Sequence, residues 1–228
     1  MTRAIPVYLE FGAKRVFAGA LEWPGWCRSG KNEEQALATL ETYADRYRVV
    51  AELAGLEFLA VGEGLEPAVL ERLDGDATTD FGAPGAIPTA DLAPMAAEDR
   101  ARTAALMRAC WDVLASVAAD APPTMRKGPR GGGRDRDAIV EHVLNAEIAY
   151  ARRLGCPART LDASDLSSVR AFRLELADVI AEGSAPPGDP PRSRGGRPPA
   201  EPWPPRYAAR RIAWHVLDHA WEIEDKSE

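Results

Sequence analysis

The stretch RYAARRIAWHVLDHAWEIEDK, residues 206–226, decides how the second half of this chain is read. It runs without glycine or proline, its apolar residues recur at helical spacing, and it holds His215 and His219, two of the chain's three histidines. At about 100° per residue the two imidazoles lie about 40° apart on a helix, one turn from each other on one side. That i,i+4 arrangement lets a single helix supply two ligands to one metal ion. Trp214, Leu217 and Trp221 fall on the other side and read as packing residues.

Working upstream, the third histidine, His142, lies in DAIVEHVLNAEIAYARRLG, among Ile139, Val143, Ala146 and Ala149 on the helical wheel. That is the face a bundle helix turns inward, so all three histidines are expected at one interior. Three neutral imidazoles with open positions make a catalytic metal site, although imidazole alone does not choose between zinc, nickel, copper and iron. The competing explanation is a set of hydrogen-bonded core histidines. Asp218 and Glu222, three residues after His215 and His219, are the candidate catalytic carboxylates, to orient an imidazole or to act as general base. Asn145 is a further polar candidate.

Two more helices precede and separate these. DLAPMAAEDRARTAALMRACWDVLASVAADAP is an amphipathic pattern stopped by Pro122-Pro123, and DASDLSSVRAFRLELADVIAEG is closed by Gly183, with Asp162 or Ser164 as its cap. Asp135 or Asp137 is placed to cap the helix of His142, and Gly155 to end it. Four helices of about 20 residues predict a four-helix bundle. Two long loops interrupt it, 121–134 and 184–205, the second with nine prolines between Ser184 and Pro205. They carry Arg126, Lys127, Arg130, Arg134, Arg192, Arg194 and Arg197, with Arg136 just beyond the first. These form either a carboxylate- or phosphate-binding rim or a solvated loop.

The first third reads differently. IPVYLEF alternates like a strand, RVFAGALEW suggests a second, and WPGWC a turn. Ser29 or Asn32 is positioned to cap a helix running through QALATLETYADRYRVVAEL. EFLAVGE and PAVLERL suggest later strands, the latter also compatible with a helical turn. Residues 74–88 are small and turn-rich. The predicted fold class is α+β. A small α/β module spans 1–78, a linker 79–90 and an up-down four-helix bundle 91–228.

Composition narrows the function. The net charge of −7 argues against a nucleic-acid partner, and no run reaches the roughly 20 apolar residues of a membrane helix. MTRAIPVYLEFG lacks the apolar core of a signal peptide, so a cytoplasmic location is expected. Cys27, Cys110 and Cys156 are too dispersed for a disulfide framework or a thiolate zinc site. No G-x-S-x-G occurs, and Gly131-Gly132-Gly133 lacks the Lys-Ser/Thr of a phosphate loop.

The Glu141-His142 pair in the second helix and HVLDH in the fourth make the helical part resemble the DinB-like superfamily, which includes the YfiT-like hydrolases. The resemblance implies a four-helix bundle that binds a divalent metal, zinc or nickel, through His142, His215 and His219. It further implies a thiol transferase or hydrolase acting on a small molecule, with a low-molecular-weight thiol as cosubstrate, and a homodimer. Family members often follow HxxxH with Gly-Gln, where this chain has Ala220-Trp221, so no particular substrate or thiol carries over. VFAGALEWPGWCRSGKNEEQALATL resembles the HicB-like fold, without the DNA-binding tail of an antitoxin. A second function therefore stands beside the enzyme: a non-catalytic regulatory protein whose N-terminal module recognises a partner while the bundle is a scaffold.

Overall fold

The computed structural model describes residues 3–58, 65–128, 132–183 and 201–227. The protein is α+β, with a four-stranded sheet in the N-terminal part and a mostly helical C-terminal part. It divides into two compact units, Met1–Pro94 and Met95–Glu228.

In the first unit, β1 (Arg3–Phe11) lies between β2 (Val16–Ala20) and β4 (Leu65–Asp74), with β3 (Cys27–Gly30) outside β2. β1 pairs antiparallel with β2 and parallel with β4. PAVLERL is therefore strand, not helical turn, and Pro67 is tolerated because β4 is an edge. EFLAVGE falls mostly outside the described residues.

Three expectations are corrected here. RVFAGALEW is strand only as far as Ala20, and β3 adds a strand where the sequence suggested only a turn and a cap. The helix after Asn32 is two helices, α1 (Glu33–Thr42) and α2 (Ala44–Leu53), broken at Tyr43. Asn32 is the cap, accepting from the Gln35 amide, while Ser29 belongs to β3. The third correction is the linker, which is docked structure. The buried Glu10 carboxylate accepts the Thr79 hydroxyl and the amides of Gly85 and Ala86. Glu71 likewise holds the amide and hydroxyl of Thr89. With these anchors, α3 (Ala77–Phe81) and α4 (Thr89–Leu92) belong to the first unit, and the boundary moves to Pro94.

The unit's aromatic core explains the WPGWC turn. Gly25 takes φ +94, a conformation that favours glycine, which allows Trp23 and Trp26 to fold onto one cluster. Trp26 stacks on Tyr47 at 5.5 Å and Trp23 meets Phe58 edge-on at 4.8 Å. Two polar ends tie the turn to the helices: Trp26 Nε1 donates to the Leu40 carbonyl of α1, and the Tyr47 hydroxyl of α2 donates to the Pro24 carbonyl.

The second unit has four long helices, α5 (Ala97–Asp120), α6 (Arg136–Arg153), α7 (Leu166–Glu182) and α8 (Pro205–Ser227). Pro94 delays the start of α5 past the Asp91 expected from sequence. Asp165 caps α7, accepting from the Ser168 amide, rather than Asp162 or Ser164, and Gly183 stops it in the left-handed region. Asp135 takes the N-cap position of α6, but its side chain accepts from the Met125 amide instead. α8 packs against both α5 and α6, and α5 against α7. α8 buries residues on every side, so it forms the centre of this unit. Its neighbours contribute Leu106, Cys110 and Leu114 from α5, Ile139 and Val143 from α6, and Phe172 and Ile180 from α7. A carboxylate is buried in this core: Glu147, fully enclosed, accepts from Trp111 Nε1 and from the Arg173 guanidinium, joining α5, α6 and α7. All three cysteines are free and buried. No described helix is long and apolar enough to cross a membrane.

Candidate metal centre

α6 and α8 bring His142, His215 and His219 together, with one ligand atom from each lying within 4.8 Å of the others. The ring centroids are 4.6 to 5.1 Å apart. The periodicity of the two helices is the cause. His215 and His219 are stacked one turn apart, and His142 faces them from the adjoining helix.

The cluster is largely withdrawn from water. His215 is 7% exposed, and the His219 side chain 12%. Burial, followed by the proximity of His219 and His142 and by the charges of Arg211 and Arg134, pushes the His215 imidazole down to about 2. Burial and then Arg134 lower His142 as well, with Glu222 opposing. Neutral imidazoles are the ligand form that a divalent ion requires.

Each of the two helix-8 histidines shows a feature expected of a ligand. His219 Nδ1 lies 2.6 Å from Glu222 Oε2. The hydrogen bond from His219 is the main reason that Glu222 is held down at about 2. A carboxylate can only accept, so the proton sits on Nδ1 and Nε2 keeps its lone pair for an ion. His215 Nδ1 is buried without a hydrogen-bond partner, a costly state that a bound ligand would relieve. Nitrogens bound to one zinc at ~2.1 Å are about 3.4 Å apart, so an ion would draw the three rings slightly inward. The residues fit the group.

Glu222 also accepts from Lys226 Nζ, so both of its oxygens are engaged. Asp218 is half-buried, and Asn145 is exposed. Trp221 packs in the core as expected. Trp214 is buried too, but its ring lies 6.0 Å from that of His215, nearer the histidines than the helical wheel suggested.

Of the loop cations, Arg126 folds back onto the end of α8, donating to the Asp225 carbonyl. Lys127 pairs with Asp135, and Arg136 with Asp137. Arg134 is exposed, and its charge is felt at His142 and His215. Arg130, Arg192, Arg194 and Arg197 lie outside the described residues. Sequence reasoning missed Tyr150 and Arg211. The Tyr150 ring is 5.9 Å from that of His215 and 5.6 Å from the Arg211 guanidinium. The signal was available: Arg211 precedes His215 by one turn, and Tyr150 follows His142 by two.

No family model, curated protein or solved structure matches this chain.

Proposed function

We propose that this chain is a metal-dependent enzyme of the DinB-like type, a thiol transferase or hydrolase acting on a small molecule. In this reading α5–α8 form an up-down four-helix bundle, and His142, His215 and His219 hold a zinc or nickel ion. The observation that carries the reading is the histidine cluster itself. Three imidazoles converge within 4.8 Å, with an unsatisfied buried nitrogen on His215. A carboxylate fixes the tautomer of His219.

Three protein ligands leave coordination positions for an exogenous group. A divalent ion there lowers the pKa of a bound water or thiol, making a nucleophile near neutral pH. Of the two roles expected for Glu222, orientation of His219 suits its two engaged oxygens and its depressed pKa, which is poorly matched to a general base at neutral pH. Asp218 is then the second carboxylate of the same turn to test for proton transfer.

Elemental analysis of the native protein beside a His215→Ala/His219→Ala variant tests the proposal. Zinc or nickel near one per chain, lost in the variant, is the expected result. The next step is then a screen of thiols with electrophilic small molecules. Two proteins that stay metal-free and equally stable after metal is supplied would overturn it, leaving the three histidines as core residues.

A further inference from the structure

We propose that Arg211, one helical turn before His215, anchors the carboxylate of a small organic acid whose other end reaches the histidine cluster. The proposal deepens the metal-site reading and rests on it for that second point of attachment.

The starting observation is a buried charge without a counter-charge. Arg211 is 8% exposed. Among the described residues its guanidinium makes no hydrogen bond or ion pair, and Nη1 is fully buried with no partner. Three other arginines of the same unit have polar partners. Arg173 pairs with Glu147, Arg159 with Glu175, and Arg100 donates to the carbonyls of Met95 and Ala181. A guanidinium cannot shed its proton to escape burial, and an unpaired buried charge costs several kcal/mol.

What surrounds Arg211 leaves one kind of partner. Its Cζ lies 4.7 Å from the Trp214 ring centroid and 5.6 Å from that of Tyr150. Rings stabilise the guanidinium through its flat faces, by ~0.5–2 kcal/mol each. They accept nothing from the N–H groups along its edge. That edge is a planar fork matched to two oxygens in one plane, as in a carboxylate.

Position supplies the connection to the chemistry. The Tyr150 ring borders both the guanidinium and the His215 imidazole, 5.9 Å from the latter. Side chains one turn apart on a helix are separated by about 5–6 Å at Cβ. A small molecule carrying a carboxylate and a second polar group a few bonds away spans that interval. Arg211 would be a specificity-determining residue, placing the reacting end of the substrate at the histidines.

Acetate, benzoate and inorganic phosphate are titrated into wild type, Arg211→Met and Arg211→Lys, each with and without zinc. Tryptophan fluorescence is the readout, since Trp214 lies under the guanidinium. The expected result is saturable binding of the carboxylates, weakened about tenfold or more in Arg211→Met, with zinc content unchanged. Arg211→Lys recovers only part of the affinity, because an ammonium lacks the fork. No saturable carboxylate response in wild type, or equal affinities in wild type and both variants, overturns the proposal. Binding of phosphate alone overturns the assignment to an organic acid. If Arg211→Met does not fold, the wild-type titration against Arg211→Lys decides by the same criteria. Because the zinc-free titrations stand by themselves, a protein that takes up no metal refutes the metal-site reading without deciding the anion site.

Discussion

His219 donates its Nδ1 proton to Glu222, 2.6 Å away on the next turn of α8, and Lys226 holds the other oxygen of the same carboxylate. The three side chains form a chain along one helix face, from a cation at its end to an imidazole within the histidine cluster. Its effect is to fix one tautomer of His219, the one that leaves Nε2 unprotonated.

Replacing Glu222 by Gln should therefore weaken metal binding without unfolding the protein. Glutamine keeps the size but removes the charge, and an amide that turns its NH2 towards Nδ1 favours the wrong tautomer. Loss of such an outer partner costs about 10–100-fold in metal affinity. Zinc affinity measured by chelator competition, beside far-UV circular dichroism, gives the result. An unchanged affinity would remove the orienting role from Glu222.

The metal-free protein should lose stability in acid, and the direction follows from His215. Its folded imidazole stays neutral down to about 2, whereas its ordinary value is 6.5. Below 6.5 the unfolded chain takes up a proton that the folded one refuses, so stability is complete above that pH and falls as pH drops towards 2. Glu222 adds in the same direction at lower pH, between its ordinary 4.5 and about 2. The slope per group is at most ~1.4 kcal/mol per pH unit. Urea unfolding in the presence of a chelator, between neutral pH and mild acid, should show a falling midpoint. In His215→Leu the fall should be shallower; an equal fall would mean that His215 is not the group responsible.

The parts of this molecule that sequence made legible are those governed by local period. His215 and His219 share a face because they are four apart, and Glu222 lies on that face for the same reason. Gly183 and Asn32 act where their backbone and side-chain chemistry place them. What escaped depends on distant partners. Glu10 looks like the solvent-facing residue of an alternating strand, yet it is buried against amides 75 and 76 positions later. That one contact turns a turn-rich stretch into docked structure. The break at Tyr43 escaped for a related reason. Helical spacing continues through it, while Trp26 and Phe58 decide how Tyr47 must pack. The position of Arg211 one turn before His215 is legible in sequence, but its burial beside the Tyr150 ring of another helix is not.

Glu147 should be the most costly polar residue to remove from the second unit. It is fully buried and satisfies both Trp111 Nε1 and the Arg173 guanidinium. In Glu147→Ala a cavity opens and two donors lose their acceptor, one of them charged. Breaking a buried pair from one side costs about 3–5 kcal/mol. Glu147→Gln retains an acceptor for Trp111 and should cost less. Chemical denaturation of both variants measures the difference. A loss below ~1 kcal/mol in Glu147→Ala would indicate that water replaces the carboxylate.

In the first unit, Gly30 is the position where a single methyl group should be hardest to accommodate. It ends β3, where α1 packs down on the strand. A Cβ there would sit 2.4 Å from the Ala36 nitrogen and 2.5 Å from the Gln35 carbonyl carbon. Both are backbone atoms in the first turns of α1, so no rotamer change can relieve the contact, and the helix must move away from the sheet. That displacement pulls Ala36 and Leu40, both fully buried, out of register with their neighbours. Overpacking of this kind costs ~1–3 kcal/mol, and the Leu40 carbonyl that accepts from Trp26 moves with the helix. Gly30→Ala should therefore lower the stability of this unit and shift the Trp26 environment together, seen as an earlier unfolding midpoint and a changed near-ultraviolet circular dichroism signal. Gly55 provides a control for the methyl group itself. It has no neighbour within 4 Å of the added carbon, but a φ of +68, so Gly55→Ala carries the backbone cost of about 1 kcal/mol without the collision. A Gly30→Ala variant no less stable than Gly55→Ala would mean that α1 can slide on the sheet at little cost.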